Sequence, residues 1–259
     1  MRGREGEIVS GEPGLMFRRL RKGLTSAIAA LVAAMLVAAP VFAYQGGPVV
    51  NGGTISGIVR YAGTPPPLQR LAISKDRDVC GARPIYDESL VVGADGGIAN
   101  AVVTLPGIEK GAPVKPERGV VFDQKGCQYL PHLIAFPAGS TIKIINSDGI
   151  LHSIHTESTV NPEVDMAQPG FKRTISVTVA KPEAIKVACD AHNWMEGWWY
   201  ATANPYYAVT DAHGRFTMRN VPPGAYTIEV WQEKLGVRQQ RVTVPPGGAV
   251  TVDFTLKPK

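Results

Sequence analysis

The sequence predicts an all-β protein, and three observations predict it. Apolar and polar residues alternate with period two in many short runs, as in Thr174 to Val179 and in Ile185, Val187 and Cys189. Those runs are punctuated by Gly, Pro and Asp turns such as Ala94-Asp95-Gly96-Gly97, Lys181-Pro182-Glu183 and Pro245-Pro246-Gly247-Gly248. Nowhere after residue 43 does a long segment with a 3.6-residue period appear.

The chain has 259 residues, which suits one or two domains. Residues 1–43 read as a secretory signal peptide: Arg18, Arg19, Arg21 and Lys22 precede the uncharged apolar run Leu24 to Ala39, and Val41-Phe42-Ala43 is a cleavage site after Ala43. The alternative is an uncleaved anchor, against which stands a run shorter than the roughly 20 residues a span needs. Removing this segment leaves 21 basic and 19 acidic residues, a net charge of +2 in place of +5. That balance, with no basic stripe carrying aromatics, excludes nucleic acid as the expected partner. Export implies the periplasm or the exterior, with no membrane span once the signal is cleaved.

Residues 44–53 are Gly- and Pro-rich and read as a linker. A β region follows at 54–112, with Thr54 to Tyr61, Leu90 to Val92 and Ala99 to Leu105 as strands. A second β region spans 117–203, its residues 156–170 reading as a loop without periodicity. A third spans 204–259, with a strand, an Asp/Gly turn and a strand over 207–216 and further strands at 225–231, 241–244 and 250–256.

The organising stretch is Cys189-Asp190-Ala191-His192-Asn193-Trp194-Met195. A thiolate, an imidazole and a thioether in C-x2-H-x2-M spacing are not a zinc set; a copper site of one Cys and two His, with Met as a weak axial ligand, uses all three. The second imidazole is assigned to His152, 37 residues before Cys189. Period two carries Cys189 to the interior side of its strand, as a buried thiolate ligand requires. His155 falls on the opposite face and is left out, and His132 is read as a core or surface histidine. Three cysteines in an exported chain ask for an explanation. An oxidising compartment favours a Cys80–Cys127 disulfide, leaving Cys189 as the unpaired thiol; two buried free thiols are the alternative.

These segments resemble the ligand segments of the cupredoxins, the blue-copper β-sandwich proteins. The short C-x2-H-x2-M loop, running on into Met195-Glu196-Gly197, is similar to that of amicyanin, and His152-Ser153-Ile154-His155 resembles a His-Asn-Val-His segment of the family. The resemblance implies a cupredoxin-like Greek-key sandwich over 117–203 with one type 1 copper at His152, Cys189, His192 and Met195. Around them it implies supporting roles for Asn146 and Ser153. Ser153 stands where the family has Asn, which predicts a looser tie between the two ligand segments. It also implies electron transfer with a c-type cytochrome or a dehydrogenase as partner, no catalysis, and a docking role for Trp194 beside an exposed edge of His192.

Further on, Thr210-Asp211 through Gly214 and Phe216, then Val221-Pro222-Pro223-Gly224 and Tyr226, resemble the carboxypeptidase regulatory-like domain, a smaller transthyretin-like sandwich. Its opening strand commonly reads G-x-I-x-G-x-V, as Gly53 to Val59 does, so residues 54–112 have the option of completing it. Two other readings compete: copper storage or delivery with the same ligands, and an accessory β module that binds no metal.

Overall fold

The computed structural model describes residues 44–258; the signal-peptide assignment lies outside the described residues. Among them the architecture is all-β, two sandwiches of paired sheets with one four-residue helix, Arg77–Cys80. No helix of the described residues is long and apolar enough to cross a membrane.

One sandwich pairs a five-stranded sheet, in the order Asp165–Gln168, His152–Glu157, Glu183–Ala188, Glu196–Thr202, Leu133–Pro137, with a four-stranded sheet, in the order Thr174–Thr178, Thr141–Asn146, Arg118–Gln124, Tyr129–Leu130. Their inward faces supply Ile142, Ile144, Ile154, Ile185 and Val187. Aromatic rings fill the middle: Phe122 stacks on Tyr129 with centroids 4.8 Å apart and meets Trp199 edge-on at 5.7 Å. Such pairs add specific geometry to burial that is already worth about 1.5–3 kcal/mol for a side chain of this kind. The strand Asp165–Gln168, which pairs with His152–His155, falls inside the stretch expected to be a loop. Only Gln168 of its four residues is fully buried, so it has no apolar period to reveal it.

In the other sandwich, Gly53–Tyr61 pairs with Arg215–Val221, Ala249–Thr251 and Phe254–Leu256, while Val102–Thr104 lies between Tyr207–Val209 and Gly224–Gln232, which in turn pairs with Gly236–Val244. Strands on either side of the first sandwich in sequence therefore share one core of Ile55, Val59, Ile98, Phe216, Ile228, Val230 and Phe254, and the first sandwich is inserted between them. Gly57 explains part of the G-x-I-x-G-x-V pattern, because a Cβ there would lie 1.8 Å from the Val252 carbonyl oxygen. Residues 44–53 are not a free linker: Gln45–Gly46 pairs in parallel with Lys110–Gly111. Leu90 to Val92 contributes only an isolated bridge, Val92 to Ile98, because the chain turns back immediately at Asp95–Gly97.

The two sandwiches meet at the tryptophans. Trp198 packs on Trp231 with centroids 4.9 Å apart, its Nε1 donating to the Glu233 carboxylate at 2.9 Å, and the other Glu233 oxygen binds the buried His132. Burial pushes the His132 imidazole down, but Glu233 and the nearby Glu88 and Asp87 outweigh it and raise its pKa.

Glu183 fixes the loop over residues 158–161. Its carboxylate accepts from the Ser158 and Thr159 hydroxyls, from the Asn161 amide group and from the N–H groups of Thr159, Val160 and Asn161. Desolvation opposes ionisation there, yet these donors hold the carboxyl well below its usual range. The sign follows: a depressed carboxylate stabilises the fold fully above its unfolded pKa near 4.5, and that contribution is lost as the pH falls through the folded value. Glu183→Gln should lower stability at pH 7 by about 1 kcal/mol and flatten the acid limb of stability against pH. Urea unfolding between pH 3 and 7 measures both, and an unchanged acid limb would show that other carboxylates dominate it.

Candidate metal centre

The loop after the strand Glu183–Ala188 is folded by its own backbone. The His192 N–H donates to the Cys189 carbonyl at 3.3 Å, and the Met195 N–H donates to the His192 carbonyl at 3.0 Å. Two successive four-residue turns that share His192 therefore bring every third residue to the same side, which accounts for the C-x2-H-x2-M spacing. The Cys189 N–H donates to the Met195 carbonyl at 3.2 Å and closes the loop at its neck. Cys189, His192 and Met195 are all buried, Met195 within the same apolar core as Cys189.

His152 opens the neighbouring strand, and the segment before it is anchored by Asn146. The Asn146 amide donates to the carbonyls of Ile150 and Gln168, and its oxygen accepts from the N–H groups of Asp148 and Gly149. This turn directs the Asp148 carboxylate to His152 Nε2, 2.9 Å away.

The three predicted donors converge. His152 Nδ1 and His192 Nδ1 are 3.0 Å apart, and Cys189 Sγ lies 4.0 Å from the first and 3.8 Å from the second. Each histidine has its outer nitrogen on a carboxylate, His152 on Asp148 and His192 on Asp76, both at 2.9 Å. Those contacts leave both Nδ1 atoms facing inward, beside the Cys189 sulfur. Two imidazole nitrogens and a sulfur thus face one buried point. The set of two nitrogens and one thiolate suits a copper ion, with Met195 on the same loop as the residue that would supply a weak fourth contact.

The electrostatics agree. Burial pushes the Cys189 thiol up, but His152, the Ser153 N–H and His192 outweigh it and bring its pKa down to about 6. Burial likewise disfavours the charged His152, yet Asp148 and Cys189 raise it to about 9. Without a cation, a proton held near His152 balances the thiolate.

Ser153 corrects the expectation of a looser site. Its N–H points at Cys189 Sγ at 3.3 Å, and its hydroxyl accepts from the Asp190 N–H at 2.8 Å and contacts the Asp190 carboxylate at 3.1 Å. Serine thus ties the two ligand segments itself. The exposed histidine edge expected beside Trp194 is not there. His192 is fully buried, Asp76 covers its outer nitrogen, and Trp194 is half-buried against the His192 ring with its Nε1 donating to the Cys127 carbonyl. Cys80 and Cys127 form the disulfide, and Cys189 is the free, buried cysteine. His155 points away from the donors, to Asp190 and Glu163 at the surface, and His132 belongs to the contact with Glu233. Sequence reasoning missed Asp76 and Asp148; an Asp four residues before a ligand histidine was a readable signal for Asp148, and nothing local marked Asp76.

Residues 200–257 match the family model of the carboxypeptidase regulatory-like domain. No curated protein matches the chain. Solved structures similar to part of it include amicyanin from Paracoccus versutus, 15% identical over 39% of this chain and 97% of that one with a TM-score of 0.30. A purple cupredoxin from Nitrosopumilus maritimus is 14% identical over 32% of this chain and 99% of that one, with a TM-score of 0.28. A copper-containing nitrite reductase from Thermus scotoductus SA-01 is 17% identical over 38% of this chain, with a TM-score of 0.31, and this chain covers 26% of that one.

Ser153→Ala removes the acceptor of the part-buried Asp190 N–H and should cost about 1 kcal/mol. Urea unfolding of the variant measures it. A loss within a few tenths of a kcal/mol would mean that the ligand segments are held together without the Ser153 hydroxyl.

Proposed function

We propose that this chain is an exported copper protein that binds one type 1 copper at His152, Cys189 and His192, with Met195 as the axial residue, and transfers single electrons between redox proteins outside the cytoplasm. The observation that carries this reading is the convergence of three buried lone-pair donors, two imidazole nitrogens and one sulfur, on a single point. When bound, copper supplies a one-electron couple, tuned by the thiolate, the thioether and the burial around them.

The residues of the chain do the rest. Ser153 and the loop neck hold the Cys189 sulfur in place, and Asp148 and Asp76 fix both imidazole tautomers. The sandwich core excludes water, so little has to rearrange when the charge at the centre changes. The redox partner in this reading is a soluble c-type cytochrome or a dehydrogenase.

One observation favours a second reading, copper storage or delivery. Both histidine edges are covered by carboxylates and His192 has no exposed surface, whereas an electron carrier profits from an open ligand edge. Electron self-exchange separates the two readings, since a carrier cycles rapidly and a storage protein slowly.

Addition of one equivalent of Cu(II) to residues 44–259 should give an intense visible thiolate-to-copper absorption and a narrow copper hyperfine splitting in EPR, both lost in Cys189→Ala. A pale spectrum indifferent to Cys189 would remove the copper-thiolate centre from consideration.

A further inference from the structure

The strands of the metal-ligand sandwich do not supply all of its site. Asp76 lies on a segment that leaves the strand Gly53–Tyr61 of the other sandwich, packs into the core around Cys189 through Leu71, Ile73, Val79, Cys80 and Ile85, and returns to the strand Val102–Thr104. It crosses to His192, 116 residues later. Asp76 has a left-handed backbone, with φ of 49°, and stands immediately before the helix Arg77–Cys80. An aspartate in that place commonly caps its helix, but this side chain makes no capping bond and is turned to His192 Nε2 instead.

Four residues after Asp76, Cys80 is bonded to Cys127, and the Cys80 N–H donates to the Asp76 carbonyl at 2.8 Å. Cys127 is itself joined to the other histidine. Its N–H and that of Gly126 donate to the Asp148 carboxylate, whose Oδ2 also binds His152. The Cys127 carbonyl receives the Trp194 indole from the ligand loop. One disulfide thus stands behind both carboxylates.

We propose that Asp76 and Asp148 are the positioning residues of the two histidines, and that the Cys80–Cys127 disulfide holds both carboxylates in place, so that a segment threaded between two strands of the neighbouring sandwich sets the affinity and potential of the metal site. This rests on the copper reading above. A carboxylate on the outer nitrogen fixes the ring orientation, keeps Nδ1 free to donate and makes the imidazole a stronger base. Two added negative charges at this range favour the more highly charged oxidation state of a bound ion. Partners of this kind are typically worth 10- to 100-fold in metal affinity.

The test uses the full chain and its Asp76→Ala, Asp148→Ala and Asp76→Asn variants, with folding checked by circular dichroism. Three quantities are read: copper affinity by chelator competition, reduction potential, and the ring-nitrogen NMR spectrum of His192 in the metal-free protein. Each alanine variant should bind copper about 10- to 100-fold more weakly and at a raised potential. His192 should lose its uniform Nε2–H tautomer in Asp76→Ala. Asp76→Asn, which still accepts the Nε2–H, should recover the tautomer but not the potential. A Cys80→Ser/Cys127→Ser chain should reproduce the combined loss of both alanine variants.

Affinity and potential within twofold of the parent, with the tautomer retained in Asp76→Ala, would overturn the proposal while leaving the copper site standing. A parent chain without a stoichiometric, Cys189-dependent copper absorption would overturn the copper reading and with it the control of affinity and potential. The His192 spectrum of the metal-free variants would then still decide whether Asp76 positions that ring.

Discussion

The structure depends on one buried cluster, in which two imidazole nitrogens stand 3.0 Å apart and a sulfur lies within 4.0 Å of both. Each is fixed by a different device: the imidazoles by carboxylates on their far sides, the sulfur by the Ser153 N–H and the closed neck of its loop. The contacts of Cys189 and of Asp148 are shielded from solvent, whereas Asp76 is part-exposed, and the cost of ordering the side chains is met when the sandwich folds rather than when an ion arrives.

The sandwich supplies what those devices need. The strands bearing His152 and Cys189 are neighbours in one sheet, paired at Ala188 with His155, so their ends open to the same edge. The loop between Cys189 and Met195 returns directly into the adjacent strand Glu196–Thr202. There Gly197 leaves no room for a side chain, since a Cβ would lie 2.8 Å from the His132 carbonyl oxygen and 3.0 Å from the Phe122 ring. The Met-Glu-Gly sequence is therefore a packing requirement of the strand that takes over from the ligand loop.

Much of this was legible because it is local. A three-residue ligand spacing reads as consecutive turns, and alternation through Ile185, Val187 and Cys189 reads as a buried strand face. The unreadable parts are those in which distant polar residues meet. The strand Asp165–Gln168 has no apolar period, and the pairing of Gln45–Gly46 with Lys110–Gly111 is made by backbone groups alone. Nothing in the sequence around Asp76 marks it; only the folded chain reveals that it meets His192, 116 residues later. Ser153 misled for a related reason. A shorter side chain than asparagine suggested a weaker tie, but its hydroxyl sits close enough to accept the Asp190 N–H at 2.8 Å.

On the proposed copper reading, the covered histidine edge bears on whether the site carries electrons or stores the metal. Electrons leave a copper centre most readily through a ligand that reaches the surface, and here Asp76 closes that route at His192 while Asp148, almost as buried as its histidine, closes it at His152. A carboxylate at that position is a barrier to an apolar partner surface but not to a basic one, because Asp76 itself is more than a third exposed. A carrier built this way favours a partner that brings positive charge to Asp76, and its reduction by such a partner falls with ionic strength as that attraction is screened. A storage protein instead passes copper by ligand exchange, and its electron transfer to such a partner is slow at every ionic strength. The salt dependence of the reaction rate thus distinguishes a gated electron path from a closed vault, with Asp76 as the hinge of the distinction.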